Sequence, residues 1–451
     1  MAKKASLLFF LVALTTTAVG VSAVPAFDVG GQVPALGHVK ARSVQAEGSA
    51  QVAPGTKGDS VAEGVEEDHL LTATADNSPV IVGYYPDWVT RSMQPEQIPY
   101  GKVTHLNYAF AILTENYSFK FDTDWLLPRV VKQAHEKGTK VLISVGGWTG
   151  SRYFTPMAAN SQGRATFIKN AVDFVKKYEL DGIDIDWEYP GRLGMDCNTF
   201  DAQHDTDNYL QLLKELRQQL DKDFGTSEPK RKMVTLAVRV EPFDGPNGPI
   251  SDASAFAPYV DFVNVMSYDV YGSWSNTTGP NAPFNAAGES NWSFTQAADS
   301  WIKAKFPKNK LVMGTALYGR SAKTLGSPKG QFASKEKVVP KGDQDDALWA
   351  DPCPAAPSVF SGVWQWRNLR SQGALASPET AGAGWVRHWD DTTQTPWLFR
   401  ESDKTFVSYD DPKSLGIKVN HVKKLGLRGV MSWDLHQDNG ELMDTLQQIR
   451  Q

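Results

Sequence analysis

The segment that decides the fold is Asp181-Gly182-Ile183-Asp184-Ile185-Asp186-Trp187-Glu188-Tyr189-Pro190. Side chains alternate between the two faces of a β-strand, so Asp184, Asp186 and Glu188 share one face, and the intervening Ile and Trp side chains share the other. We expect the apolar face to pack on helices, which turns the three acids toward the interior of a barrel.

Three carboxylates on one face of a buried strand are costly if all of them are ionised. Repulsion between them should raise the pKa of at least one. A raised pKa would keep Glu188 protonated near neutral pH, as a general acid requires. A solvated acidic turn and a Mg²⁺ or Ca²⁺ site are the alternatives. Turns do not carry an Ile-x-Ile pattern between acids, and no cage of further oxygen ligands lies nearby in the sequence.

Eight short apolar runs, including the one just described, recur along the chain and are separated by amphipathic helical patterns. Several are rich in β-branched residues and too short for buried helices, as expected of parallel strands covered by helices. They predict an α/β fold, namely a (β/α)8 TIM barrel. The runs are Val80–Tyr85, Val103–Phe110, Lys140–Val145, Gly182–Trp187, Met233–Val238, Phe262–Ser267, Leu311–Leu317 and Gly429–Trp433.

The interval between the seventh and eighth runs is about 110 residues long, far more than one helix and its loops require. It contains a strand-like segment at Thr405–Tyr409 and several tryptophans, among them Trp364, Trp366, Trp385, Trp389 and Trp397. We predict a small inserted α+β subdomain at residues 321–411. The barrel then comprises residues 79–320 and 412–451, with its last helix starting near Lys413.

The first residues are typical of an export signal. Lys3 and Lys4 precede the apolar run Leu7–Leu14, and Val21-Ser22-Ala23 offers small residues for cleavage. An uncleaved anchor is the alternative, but the second half of the segment is Thr, Ala and Gly rather than Leu. We therefore predict a signal peptide at residues 1–23 and a secreted, extracellular protein that does not contact a membrane after cleavage.

Residues 24–78 contain one aromatic side chain and are rich in small residues. They cannot bury enough apolar surface to form a core, so we predict a disordered leader or pro-segment. Export would also allow N-glycosylation at Asn116, Asn276 and Asn291, each of which begins an Asn-x-Ser/Thr sequence.

The overall charge bears on the class of ligand. The formal net charge is -5 and the pI is about 5.9. A protein that binds phosphates is usually basic, so we expect no nucleic-acid partner. A neutral polymer or a small molecule fits better.

The acidic segment matches the Asp-x-x-Asp-x-Asp-x-Glu signature of family 18 of the glycoside hydrolases, the chitinase family. The resemblance extends in register from Val80 to Arg450, and the long insertion lies where many members carry a chitinase insertion domain. The other matching segments are Gly83-Tyr84-Tyr85, Asn107-Tyr108-Ala109-Phe110, Ser144-Val145-Gly146-Gly147-Trp148, Met266-Ser267-Tyr268-Asp269, Tyr318-Gly319-Arg320 and Met431-Ser432-Trp433.

The resemblance implies a monomeric chitinase that needs no metal or cofactor and acts on chitin or chito-oligosaccharides. It implies a substrate-assisted retaining mechanism, in which the 2-acetamido group of the sugar is the nucleophile and Glu188 is the acid and base. Asp186, Asp184 and Tyr268 would complete the catalytic set. Asp181 and Ser144 would support it. The predicted substrate-binding residues are Trp433, Trp148, Asp269, Met266, Arg320, Tyr84, Phe110 and Tyr189.

Two features depart from the family pattern or lie outside it. The fifth run continues into Arg239 and Glu241, which would either pair with each other or contact substrate. Cys197 and Cys353 are the two cysteines of the chain. A disulfide between them would tie the insertion to the barrel rim, although the sequence leaves the bridging geometry open.

Two other functions remain open at this stage. One is an endo-β-N-acetylglucosaminidase that acts on glycoproteins. The other is a chitin-binding lectin that keeps the groove without catalysis, although the presence of Glu188 and the three aspartates favours an enzyme. The sequence does not distinguish endo from exo cleavage.

Overall fold

The computed structural model describes residues 78–451. The predicted signal peptide at residues 1–23 and the predicted leader at 24–78 lie outside this range, apart from Ser78. None of the helices in the described part of the chain is both long and apolar enough to cross a bilayer.

Eight parallel strands form a closed barrel, which confirms the predicted fold class. The strands follow each other around the barrel in chain order, and β1 closes it by pairing with both β2 and β8. They are β1 (Val80–Pro86), β2 (His105–Leu113), β3 (Lys140–Gly146), β4 (Gly182–Asp186), β5 (Met233–Val238), β6 (Phe262–Val265), β7 (Leu311–Ala316) and β8 (Gly429–Trp433).

Helices cover the outside of the barrel, but not in every connection. They are α1 (Leu127–Glu136), α2 (Phe154–Ala158), α3 (Ser161–Lys177), α4 (Asp205–Phe224), α5 (Phe294–Lys303), α6 (Trp366–Ser371), α7 (Pro412–Leu425) and α8 (Glu441–Leu446). Between β1 and β2 the chain forms only 3₁₀ turns, and between β5 and β6 a 3₁₀ helix, Ser254–Tyr259, replaces the expected α-helix. Prolines in both connections, such as Pro258, lack the N–H that an α-helix needs.

Local sequence signals set the ends of α7. Asp411 accepts a hydrogen bond from the Ser414 N–H at 2.9 Å, and Pro412 occupies the first turn, where a missing N–H costs nothing. The helix stops at Gly426, which has a φ of 66° and supplies the left-handed cap.

Two apolar layers hold the barrel. The side chains inside it include Val82, Leu142 and Met431, and those between the strands and the helices form the larger core. In β4, Ile183 and Ile185 belong to the outer layer, as their alternation with the acids predicts.

A second, antiparallel sheet lies between β7 and β8 in the chain. Its strand order is Val363–Gln365, Tyr318–Lys323, Thr405–Ser408, Thr395–Arg400 and Val386–Asp390. Tyr318–Lys323, which comes first of these strands in the chain, starts inside the segment predicted as barrel. The subdomain boundaries at 321 and 411 remain a prediction. Of the six tryptophans in this interval, four are buried and fill the core of this region, whereas Trp349 is 60% exposed.

Short strand pairs complete the described structure. Phe119–Lys120 pairs antiparallel with the end of β2, and the others are the pairs Asp244–Gly245 with Gly248–Pro249 and Leu375–Ser377 with Thr380–Ala381.

Candidate active site

Asp184 is the deepest acid of β4 and is fully buried inside the barrel. Four other strands of the barrel each contribute one donor to its carboxylate. Tyr84 of β1 and Ser144 of β3 donate their hydroxyls to Oδ2, both at 2.8 Å. On Oδ1, the Thr235 hydroxyl of β5 lies at 2.6 Å and the Asn264 amide of β6 at 3.4 Å. Burial raises the pKa of Asp184, and these four hydrogen bonds act in the opposite direction.

Asp186 lies one alternation step closer to the mouth of the barrel and is also buried. Its Oδ1 atom has no hydrogen-bond partner among the described residues. Burial, and then the charges of Glu188 and Asp184, raise the pKa of Asp186 well above its usual range. Asp186 therefore keeps one carboxyl oxygen for a ligand, whereas Asp184 is saturated by protein donors.

Glu188 follows β4 by two residues and stands at the carboxyl ends of the strands, where TIM-barrel enzymes place their chemistry. Its backbone N–H donates to Ser151 Oγ at 2.9 Å. Burial raises the pKa of the Glu188 side chain to about 7, with a further rise from the charge of Asp269, while a hydrogen bond from Tyr189 opposes the shift. Glu188 is thus substantially protonated near neutral pH.

Aromatic rings cluster at the carboxyl ends of β1, β2 and β8. Trp433 at the end of β8 stacks on Phe110, with ring centroids 5.7 Å apart and an angle of 25° between the planes. The Tyr84 ring lies 5.4 Å from Trp433. Met266 packs with these residues against the apolar interior of the barrel. The group offers a flat apolar surface of the kind that stacks on a sugar ring.

Tyr268 and Asp269 lie beyond β6. The Tyr268 hydroxyl contacts Met431 Sδ at 3.8 Å, a weak acceptor, so it remains able to donate to a ligand. Asp269 Oδ1 accepts hydrogen bonds from the Tyr318 hydroxyl and from Arg320 Nε, each at 2.6 Å. Arg320, predicted to bind substrate, is therefore engaged by Asp269.

Two predicted residues lie away from this cluster. Trp148 follows β3 at the rim, is 41% exposed, and donates from Nε1 to Asp351 Oδ2 at 3.3 Å. Asp181 precedes β4, at the opposite end of the strand from Glu188, and accepts from the Val141 N–H at 2.7 Å. It fastens β4 to β3 and does not reach the site.

Sequence reasoning missed four residues at or near the site. Thr235 and Asn264 hold Asp184, but isolated small polar residues in apolar strands gave no local signal. Trp88, 60% exposed, stacks on Phe110 at 6.1 Å, and Trp274, 59% exposed, lies 5.0 Å from the Arg320 guanidinium. Trp88 comes two residues after β1 and Trp274 lies in the loop after β6, and a position beyond the carboxyl end of a barrel strand is the signal that could have identified them.

The two features outside the family pattern have a clear place in the structure. Arg239 pairs with Glu241 at 2.6 Å and with Asp244 at 3.2 Å. Cys197, in the loop after β4, forms a disulfide with Cys353. No group of three His, Cys, Asp or Glu side chains within residues 78–451 is arranged to hold a metal ion.

Comparison with known proteins gives a consistent result. The model of the glycosyl hydrolases family 18 matches residues 80–438. A chitinase-like effector of Moniliophthora roreri is 33% identical over 392 residues, which cover 83% of this chain and 93% of that protein. Chitinase A1 of Niallia circulans is 31% identical, covering 82% of this chain and 58% of that protein. The crystal structure of a chitinase from Rhizomucor miehei superposes with a TM-score of 0.75 at 37% identity, covering 82% of this chain and all of that one.

Proposed function

Because the chain belongs to family 18 of the glycosyl hydrolases, we propose that it is a secreted chitinase. It hydrolyses β-1,4 bonds between N-acetylglucosamine units and retains the configuration at the anomeric carbon. The observation that carries the proposal is the pairing of a protonated Glu188 with an Asp186 whose Oδ1 atom is unpartnered. The chitinases among the relatives are consistent with this substrate.

The first chemical step is breakage of the glycosidic bond. Glu188 donates its proton to the oxygen that links the two sugars, and its pKa of about 7 leaves that proton available near neutral pH. A conventional retaining enzyme would need a second carboxylate on the opposite face of the sugar. Asp186 is two residues away on the same face of β4, so it approaches from the same side as Glu188.

The substrate itself then supplies the nucleophile. Its acetamido oxygen attacks the anomeric carbon as the bond to the leaving sugar breaks, which gives a cyclic oxazolinium ion. Asp186 Oδ1 accepts the acetamido N–H, while the Tyr268 hydroxyl donates to the acetamido oxygen and orients it. The positive charge that develops on the ring, together with the loss of the Glu188 proton to the leaving sugar, sets the charge that Asp186 meets; the positive ring favours the ionised form of Asp186 and opposes its raised pKa. Trp433 supports the apolar face of the same sugar.

Hydrolysis of the intermediate restores the enzyme. Glu188, now a carboxylate, takes a proton from water as the water oxygen bonds to the anomeric carbon and the oxazolinium ring opens. The two displacements at one carbon return the β-configuration. Glu188 then holds a proton again, so no cofactor or metal enters the cycle.

The acetamide requirement provides the test. Oligomers of N-acetylglucosamine should be cleaved at least about a thousandfold faster than matched glucose or glucosamine oligomers, because the intramolecular nucleophile is absent from those. Nuclear magnetic resonance of fresh hydrolysate should show the β-anomer first. Comparable cleavage of the matched glucose oligomer, or an α-anomer as the first product, would contradict the mechanism.

A chitin-binding protein without catalysis is the second candidate, because the name "chitinase-like effector", which two relatives carry, does not state hydrolysis. It predicts binding of N-acetylglucosamine oligomers with no release of reducing ends. An endo-β-N-acetylglucosaminidase would instead release glycans from an N-glycoprotein. Assays on both substrates with one preparation separate the three outcomes.

A further inference from the structure

A hairpin-like segment, residues 343–361, leaves the second sheet between two of its paired strands, Tyr318–Lys323 and Val363–Gln365. We call it the bridge segment. Asp346 holds its base: Oδ2 accepts from the backbone N–H of Gly342 at 2.7 Å and of Gly362 at 3.0 Å, and Oδ1 accepts from the Ser361 hydroxyl at 2.8 Å. The base is therefore fixed on the β7 side of the barrel, since Val363 pairs with Arg320.

The far part of the bridge segment is fixed to other barrel loops. Trp349 and Val359 exchange two backbone hydrogen bonds at 2.9 Å, which keeps the two arms together. Beyond this pair, Cys353 is bonded to Cys197 in the loop after β4. Asp351 accepts the Trp148 Nε1 hydrogen bond from the loop after β3 at 3.3 Å.

The strand order shows that the two ends of the bridge segment are attached to distant parts of the barrel rim. Three strands separate β7 from β3 in either direction around the barrel, so the two lie on opposite sides of the mouth. The segment starts on the β7 side and ends at β3 and β4. Asp186 at the end of β4 and Glu188 just beyond it belong to the same mouth of the barrel. We propose that residues 343–361 form a disulfide-locked bridge across the mouth of the barrel, and that a single glycan chain passes beneath it.

This inference rests on the proposed function and adds to it a rule for how substrate enters and leaves. A chain beneath a bridge closed at both ends cannot lift out sideways and must slide along the groove. Sliding favours several cleavages for each encounter with the polymer, and it slows dissociation of a long chain more than that of a short one. Trp148, held by Asp351, becomes part of the covered passage.

The test opens the bridge without changing a catalytic group. In the Cys197→Ser/Cys353→Ser variant, the ratio of soluble to insoluble reducing ends released from chitin fibres should fall at least about threefold, because an uncovered chain dissociates sooner. Cleavage of the N-acetylglucosamine tetramer should stay within about twofold of wild type in kcat/KM. Wild-type protein that has been reduced and alkylated should behave like the variant. The same treatment of the variant is the control, because the chain has no other cysteine.

A second readout does not depend on catalysis. In a Glu188→Gln background, opening the bridge should speed dissociation of a long soluble chito-oligosaccharide more than that of the tetramer. Unchanged product ratios and unchanged dissociation, with loss of the disulfide verified by mass, would overturn the bridge. Should the double variant fail to fold, the reduced and alkylated wild-type protein, in which the Cys197–Cys353 bond is broken, must still lower the ratio for the bridge to stand. Absence of all cleavage by wild type would refute the proposed function, and the dissociation rates would still decide on the bridge.

Discussion

The Tyr84 hydroxyl on β1 donates a 2.8 Å hydrogen bond to Asp184 on β4, across the interior of the barrel from a strand that is not its neighbour. Together with the three other donors to Asp184, this bond gives Asp184 and Asp186 different roles. The four hydrogen bonds favour the carboxylate form of Asp184 and oppose the effect of its burial, whereas Asp186 keeps an unpartnered oxygen that a ligand can contact. The division explains why two aspartates are needed beneath one general acid.

The Tyr84→Phe substitution should therefore lower kcat by about tenfold or more, with little change in KM, because a hydrogen bond to a charged group contributes about 1.5–3 kcal/mol. Phenylalanine keeps the ring contact with Trp433. Tyr108→Phe is the matched control, since its hydroxyl donates to Thr123 outside the site. Steady-state kinetics on the tetramer measure both variants. A Tyr84→Phe enzyme within twofold of wild-type kcat would show that Asp184 does not need this donor.

Glu188→Gln removes the proton donor but preserves the shape of the side chain. We expect kcat to fall by about a hundredfold to ten-thousandfold, the usual contribution of a positioned acid. Affinity for the tetramer, measured by titration calorimetry, should remain close to that of wild type. Glu228→Gln, which changes only a surface ion pair with Lys140, should leave both values unchanged. Retention of most of the activity by Glu188→Gln would remove Glu188 from the mechanism.

The pH dependence of kcat/KM should show an alkaline limb near pH 7, because Glu188 must be protonated to act and its pKa is about 7. The charge of Asp269 contributes to raising that pKa. Asp269→Asn should lower it and move the alkaline limb to lower pH, and the freed Arg320 cation acts in the same direction. Asp444→Asn, an exposed surface change, is the control. A limb that stays in place or moves to higher pH in Asp269→Asn would contradict this assignment.

Much of the fold follows from local sequence patterns. Period-two alternation in residues 183–188 correctly assigned the apolar side chains to the outer layer and Asp184 and Asp186 to the interior. The strand ends were less accurate: the second run was predicted to start at Val103, whereas β2 starts at His105. A strand ends where its neighbours stop offering hydrogen bonds, and a single sequence does not contain that information.

The site was less predictable where it depends on contacts between strands. Thr235 lies beside Asp184 only because β4 and β5 align in a particular register. Arg320 was placed against substrate by its motif, but its ion pair with Asp269 depends on the relative position of β6 and β7. The tryptophans at 364, 366, 385 and 397 are buried, so an abundance of aromatic residues in the insertion did not by itself indicate a binding surface.

A buried ion pair outside the active site gives a prediction about stability. Lys418 on α7 is fully buried and donates to Asp410 Oδ2 and to the Ala282 carbonyl oxygen, both at 2.6 Å. Lys418→Met leaves the Asp410 charge buried without its partner, which should lower the free energy of unfolding by about 3–5 kcal/mol. Replacing both residues, as Lys418→Met/Asp410→Leu, removes the stranded charge and should recover a large part of this loss.

Denaturant unfolding of the single and double variants measures the effect. Lys424→Met is the matched control, because Lys424 is an exposed lysine on the same helix. It should change stability by about 0.5 kcal/mol or less, as surface substitutions usually do. We expect Lys418 to be needed for stability only while the Asp410 charge is present. A double variant that is at least as unstable as Lys418→Met would therefore show that lost packing around α7, rather than the isolated charge of Asp410, causes the destabilisation.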